Sequence, residues 1–421
     1  MIRYIAKGGR RAVIWPAAIL CGAVLLAAAG QAGAIERRRP QFTDEPAHLV
    51  LPMAYNLPGL GGGWGVMALL TNMAGTRIDA YAVGMQGDLE GGVLGVLDMQ
   101  VIHERLILSL ESQYFTKAAK QLYTLRGMDS RKDDFMIGVA DKVEGTFPSA
   151  VLTFADRMVE FGYMQGDQAA RAVAYVTPSG VRYDLPTKEI VRFDTRMASV
   201  RLDWTDDYYD PHLGLRLLLM RNFSAGATAG QPVFNTDTYL LTGYIPLGKR
   251  STWVLATRGS GAAMEREGLT DRAAIRAKLQ PCFGDPACNA AVTRQVENTY
   301  NANKYGTAAS LGGDNFLRGY PADRFVGSQS LFYGTELRWD FTDERSPFDY
   351  FVWKDIRTAL QLAFFYETGS VGDAPGDVGK SWRDVRGVGF RFITHAGFAY
   401  RFDYSVFDEG SATVIMFSYP W

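Results

Sequence analysis

The stretch GFAYRFDYSV, residues 397–406, alternates without a break. Phe398, Tyr400, Phe402, Tyr404 and Val406 share one side, and Ala399, Arg401, Asp403 and Ser405 share the other. Successive side chains of a strand point to opposite faces, so this segment reads as a strand with one apolar and one polar face. The pattern recurs upstream. Leu331, Tyr333, Thr335, Leu337, Trp339 and Phe341 oppose Phe332, Gly334, Glu336, Arg338 and Asp340. Leu360, Leu362, Phe364 and Tyr366 oppose Gln361, Ala363, Phe365, Glu367 and Gly369. Val388, Phe390 and Phe392 oppose Gly389 and Arg391, and Ala198, Val200, Leu202 and Trp204 oppose Ser199, Arg201 and Asp203.

The charges choose between a soluble sandwich and a membrane barrel. Placing Arg201, Asp203, Arg338, Asp340, Arg391, Arg401 and Asp403 unpaired in a dry core costs several kcal/mol each, roughly. A barrel sends the aromatic faces to lipid and these charges to a wet lumen. Composition agrees. The 421 residues are 47% hydrophobic and 13% aromatic, with 45 glycines, yet mean hydropathy is only −0.08. Apolar residues scattered at alternate positions give that combination, and aromatic rings and tight turns suit a barrel. A net charge of −1 offers no basic field for nucleic acid.

Nine strands are expected near 193–205, 212–223, 236–247, 251–262, 328–341, 357–369, 385–394, 397–407 and 411–421. Residues 91–101 and 105–114 also read as strands, but the rest of 58–192 is mixed. Seven strands in that part would make sixteen in all. The last strand sets Ile415, Phe417, Tyr419 and Trp421 on one face, the terminal aromatic alternation of an outer-membrane barrel signal. Short connections at 246–250 and 394–397 and long ones at 263–327 and 370–384 match turns and external loops.

The first 34 residues read as a cleaved signal peptide. Arg3, Lys7, Arg10 and Arg11 precede an uncharged run over 12–30 and the small-residue site Ala32-Gly33-Ala34. Leu20 before Cys21 is too bulky for lipoprotein processing. Residues 35–57 read as a short periplasmic lead, and 58–421 as the barrel. Cys282 and Cys288, the cysteines left after cleavage, are expected to form a local disulfide in an oxidising compartment.

No catalytic constellation stands out, so no enzyme, cofactor or metal is expected. His48, His103, His212 and His395 lack metal-ligand spacing, and there is no G-x-S-x-G elbow. His212 and His395 read as solvent-exposed turn residues. Asp206, Asp207 and Asp210 could suggest a cation cluster but read better as a solvated turn. The glycine-rich stretch 59–65 opens no βαβ unit and reads as the first barrel strand, weakened by its glycines.

At 311–338 the sequence is LGGDNFLRGYPADRFVGSQSLFYGTELR. It resembles the barrel of the superfamily containing BamA, TamA and the two-partner secretion transporters, the bacterial surface antigen domain. The resemblance covers residues 58–421. It rests on Gly312-Gly313, the tetrad Leu317-Arg318-Gly319-Tyr320, the Glu336-Leu337-Arg338 pattern, and the run from Phe365 to Gly369, with Glu367 where the family has aspartate. It implies an antiparallel transmembrane barrel in the outer membrane of a Gram-negative bacterium. The sixth external loop, 263–327, would fold into the lumen with the tetrad at its tip. Arg318 would latch to the wall through Glu367, with Asp384 the second candidate. Gly319 would permit a turn closed to other residues, and Tyr320 would pack and hydrogen-bond at the tip. Helical character at 269–280 and 289–302 suggests a small external cap. Residues 35–57 are too short for a POTRA domain, so a member lacking them is expected. Implied partners are outer-membrane lipid and lipopolysaccharide, the barrel assembly machinery and a periplasmic protein. The expected role is assisting insertion or translocation of protein or lipid through a loop-gated lumen. The alternative is a passive pore or structural surface antigen.

Overall fold

Period-two segments cannot satisfy their backbone groups alone, and in a membrane every edge must be paired, which closure of the sheet achieves. The computed structural model shows that solution. It describes residues 35–42, 46–123, 125–224, 230–279, 286–342, 348–350, 353–356, 358–374, 376–394 and 399–421. The signal segment 1–34, the side chains of Cys282 and Cys288, and His395 lie outside the described residues.

Seven strands precede the nine expected ones. They are β1 (Ala47–Leu57), β2 (Gly61–Thr71), β3 (Ile78–Gly87), β4 (Glu90–Ile102), β5 (Leu106–Tyr123), β6 (Phe135–Phe154) and β7 (Val159–Val176). Then come β8 (Arg182–Thr205), β9 (Gly214–Phe223), β10 (Val233–Pro246), β11 (Ser251–Arg266) and β12 (Gln329–Asp340). A small hairpin, β13 (Phe348–Tyr350) and β14 (Trp353–Ile356), lies outside the barrel sheet. The wall finishes with β15 (Thr358–Gly372), β16 (Arg383–Thr394), β17 (Ala399–Phe407) and β18 (Gly410–Phe417). Each barrel strand pairs antiparallel with its neighbours, and β18 meets β1, closing sixteen strands. The connection 267–328 carries two helices, α1 (Arg272–Ala277) and α2 (Pro286–Tyr305). The barrel thus has a loop end, which holds this connection, and a turn end, where the chain enters and leaves the wall.

The outer face is apolar all the way round. Trp64, Leu94, Phe161, Tyr163, Trp204, Leu219, Trp253, Phe364 and Tyr404 are all exposed. Such a surface belongs in hydrocarbon.

Two expected boundaries shift. The barrel begins at Ala47 rather than 58, so the glycine-rich stretch lies in the second strand, not the first. Its glycines serve packing. A Cβ at Gly63 would fall 2.7 Å from the Tyr55 hydroxyl, which bonds both the N–H and the carbonyl of Leu89. Two segments, 47–57 and 61–71, pair as a hairpin, so residues 47–57 belong to the wall and not to a periplasmic lead.

The second correction concerns the C-terminus. The last strand stops at Phe417, and Ser418 takes a left-handed φ of 76°. Tyr419 and Trp421 therefore leave the outer-face alternation and turn into the bore. Trp421 Nε1 donates to Glu367 at 3.3 Å, and its ring stands 6.5 Å from that of Phe332. The Tyr419 hydroxyl donates to Asp210 at 2.6 Å, and the Arg338 guanidinium lies 4.1 Å from its ring. Pro420, next to the last residue, suits a terminus that is no longer a strand.

Candidate functional site: a loop latched inside the barrel

The loop 306–328 builds its own tip. Leu311 and Phe325 exchange both backbone hydrogen bonds, closing a hairpin whose far end is the Leu317–Tyr320 tetrad. Gly312 and Gly313 both have φ of 108°, a region costly to residues with a Cβ. Gly319 has φ of 101°, and a Cβ there would lie 2.2 Å from Ser405 Oγ. The tip therefore rests directly on β17, with no space for a side chain at this position. Gly369 plays the matching part in β15: a Cβ would meet Leu311 at 2.7 Å and Leu317 at 3.2 Å.

Arg318 is fully buried at the centre of this contact. Its Nε donates to Glu367 at 2.6 Å, Nη1 to Asp403 at 2.8 Å and Nη2 to Glu336 at 3.1 Å. Its backbone N–H also donates to Glu367, at 2.7 Å. The planar fork thus spans three wall strands, β12, β15 and β17, as only a guanidinium can. The guanidinium stacks 3.6 Å from the Phe365 ring centre, with the Trp421 ring at 5.7 Å.

The carboxylates serve other cations as well. Glu336 accepts from Arg338 at 2.7 Å and from Arg391 at 2.5 and 2.6 Å. Asp403 accepts from Arg401 at 2.7 Å, and Arg401 reaches the loop's Asp314 at 3.7 Å. Among the described residues, Arg318, Arg338, Arg391 and Arg401 are thus matched by Glu336, Glu367, Asp403 and Asp314. Apart from Asp314, none of these side chains is more than 1% exposed. The charges expected to line a wet lumen are here packed into an ion-pair network with one another.

Tyr320 packs against Phe407 and Phe325, with ring centres 4.3 and 5.0 Å away, and its hydroxyl donates to Asp408. Asp384 does not join the network. It pairs in register with Thr368 and sits exposed on the outer face, on the same parity as Val388 and Phe390. The strand alternation itself excludes it as a latch.

Sequence reading did not single out several residues that hold the loop. Arg324 is fully buried and pairs with Glu409 at 2.5 Å and with Ser130. Arg126 bonds Asp373 at 2.6 Å and the Gly306 carbonyl at 2.8 Å, tying three loops together. Asp403 was legible by parity, since it shares the inward face with Arg401. Above the tip, α1 and α2 enclose a small core of Ile275, Val292 and Val296.

At the turn end, the Asp206–Asp210 cluster is not a solvated turn. Asp207 and Asp210 are buried, and His212 is half-buried, 3.2 Å from Asp210 and 3.6 Å from Asp340. Burial would raise the Asp210 carboxyl, but His212, Arg38 and Tyr419 hold it far below the ordinary carboxylate range. Burial works against the His212 imidazolium, yet the bond and charge of Asp210 outweigh it and raise its pKa. Among the described residues, no group of His, Cys, Asp and Glu is arranged to hold a metal ion.

The fold resembles solved barrels. BamA from Haemophilus ducreyi lacking POTRA domains 1–3 is similar at a TM-score of 0.46 and 14% identity, over 89% of this chain and 69% of that one. CdiB from Escherichia coli is similar at 0.49 and 12%, over 89% of this chain and 62% of that one. CdiB from Acinetobacter baumannii is similar at 0.47 and 9%, over 89% and 60%. No protein-family model and no curated protein matches the sequence.

Where β1 meets β18, the register pairs only Asn56 with Ile415 among the described residues. Side chains add bonds beside this pair. The Tyr400 hydroxyl donates to the Ala54 carbonyl at 2.6 Å and accepts from its N–H at 3.0 Å, and Asn56 donates to the Thr413 carbonyl at 2.7 Å.

Proposed function

We propose that this chain is an outer-membrane barrel of the surface-antigen type that assists translocation or insertion of polypeptide or lipid, with the Arg318 loop as its internal gate. In this reading the loop end faces outward and the turn end faces the periplasm. Outer-membrane lipid, lipopolysaccharide, the barrel assembly machinery and a periplasmic protein are its partners.

One observation carries the reading: a loop arginine is paired simultaneously with Glu336, Glu367 and Asp403 from three wall strands. The wall's own Arg338, Arg391 and Arg401 equal Glu336, Glu367 and Asp403 in number, but among the described residues Glu367 takes its cation from the loop and from no wall arginine. A loop that leaves strips Glu367 of its cation, whereas Glu336 keeps Arg338 and Arg391 and Asp403 keeps Arg401, so the latched state is favoured until something compensates Glu367. The scarcely paired β1–β18 seam supports the same reading, since ladder hydrogen bonds are what would hold such an edge. The passive-pore alternative fits less well, because the loop and the tail 418–421 fill the bore beside the charged wall.

Planar-bilayer recording separates the two. Arg318→Ala should turn a small, fluctuating conductance into a wider one, and should fail to restore the outer-membrane protein and lipid profile of a deletion strain. A wide, steady pore that is indifferent to Arg318→Ala, in a strain with a normal profile, would establish the passive pore instead.

A further inference from the structure

The segment just before β1 is more than a lead. Arg37, Arg38 and Arg39 lie against the ends of β6 to β9. In a ring of sixteen strands, β8 and β9 stand half a circumference from β1. Arg37–Phe42 thus lie at the opposite side of the turn-end rim from Ala47, where the wall begins.

Its seat is a formed one. Arg39 Nε pairs with Asp207 at 2.5 Å, and Arg38 Nη2 donates to the Asp210 carbonyl at 2.8 Å. Arg37 donates to the carbonyls of Thr205 at 2.9 Å and Asp156 at 3.0 Å. Two contacts are independent of charge: the Arg38 N–H donates to the Asp206 carbonyl at 2.6 Å, and the Tyr208 N–H donates to the Gln41 side-chain oxygen at 2.6 Å. Phe42 is buried, with the Arg157 guanidinium 5.5 Å from its ring. That guanidinium is positioned by Glu160 at 2.9 Å and Asp98 at 3.2 Å, so the aromatic pocket does not depend on the segment that fills it.

We propose that this seat is a receptor for a basic polypeptide segment carrying an aromatic residue three positions after its arginines, and that Arg37–Phe42 fills it in cis as a displaceable strap. An arriving segment of the same chemistry takes over the carboxylates and the Phe42 pocket, so occupancy is exchanged without leaving Asp207 buried and unpaired. The proposal rests on the reading that polypeptide enters the bore, but it is tested by equilibrium binding, which does not involve Arg318. Loss of binding with a translocation phenotype intact retires the strap alone; binding with no Arg318 phenotype retires the gate alone.

The probe is the labelled, C-terminally amidated hexapeptide Arg-Arg-Arg-Pro-Gln-Phe. The protein is the full chain in detergent, either unaltered or emptied by Arg37→Ser, Arg38→Ser, Arg39→Ser and Phe42→Ser. A tethered occupant competes at an effective concentration of about millimolar, so the emptied barrel should bind at least tenfold more tightly than the unaltered one. Adding Asp207→Asn should remove most of that gain. Equal binding by both barrels, or none by a folded emptied barrel, overturns the proposal. If the emptied barrel does not fold, the unaltered one still decides. Excess peptide should speed chymotrypsin cleavage after Phe42 at least fivefold, and an unchanged rate overturns the proposal.

Discussion

The walls β1–β5 and β12 with β15–β17 share one sheet and one lipid-facing exterior but differ inside. In the first, Met53, Tyr55, Met67, Val83, Met85 and Phe115 make the inner face an apolar core. In the second, Glu336, Arg338, Glu367, Arg391, Arg401 and Asp403 make it an ion-pair network closed by Arg318 of the loop. The first wall is held by packing that any apolar neighbour can supply. The second is complete only while a particular loop is seated, because Glu367 takes its cation from Arg318.

The sharpest break is Glu336→Ala. It leaves Arg318, Arg338 and Arg391 without their shared carboxylate, a loss on the order of 3–5 kcal/mol or more for a buried charge. Thermal unfolding should fall accordingly and become strongly dependent on salt. A loss under about 1 kcal/mol would mean that the network is not what holds this wall. Met67→Ala in the opposite wall should cost about 2–4 kcal/mol from its cavity, with no change in salt dependence and no release of the loop. Increased proteolysis between 306 and 328 in that variant would erase the distinction between the walls.

Gly319→Ala is a smaller and more local test. The left-handed backbone and the approach to Ser405 make it cost about 1–3 kcal/mol, seen mainly as loop release. Arg324→Gln control variants should leave the φ-dependent part of that effect in place. The smallest effect belongs to the turn end. The His212 pKa is raised on folding, so its stabilising share is complete below the ordinary histidine value of 6.5 and is lost as pH rises through the folded value. Relative to His212→Gln, the unaltered protein should be more stable at pH 5.5 by under about 1 kcal/mol, with the difference gone at strongly alkaline pH. A difference that grows with pH would reverse the assignment.

This contrast also explains what the sequence reveals. Most strands from β8 onward alternate visibly because their inner faces carry polar or charged residues. Of the seven before them only 91–101 and 105–114 read as strands, because residues such as Met67 and Trp64 are apolar on both faces and the period of two fades. The latch was legible through the tetrad and through the parity of Glu367. Asp403 and Glu336 add partners on the same inward face, whereas Asp384 has the wrong parity. The inward turn at Ser418 was hidden because Tyr419 and Trp421 preserve the apolar alternation after the strand has ended. The strap was hidden because three arginines near an expected cleavage site look like a flanking charge cluster, and their carboxylates lie some 170 residues away.

Whether the loop sits against the wall can be measured directly. In a Cys282→Ser, Cys288→Ser background, Leu317→Cys and Gly369→Cys place two thiols where the glycine's Cβ would lie 3.2 Å from the leucine side chain. The folded barrel should form this disulfide spontaneously, and its yield should drop when Arg318→Ala is added. Free thiols in the folded barrel, or a yield unaffected by Arg318, would contradict a loop held in the bore by its arginine.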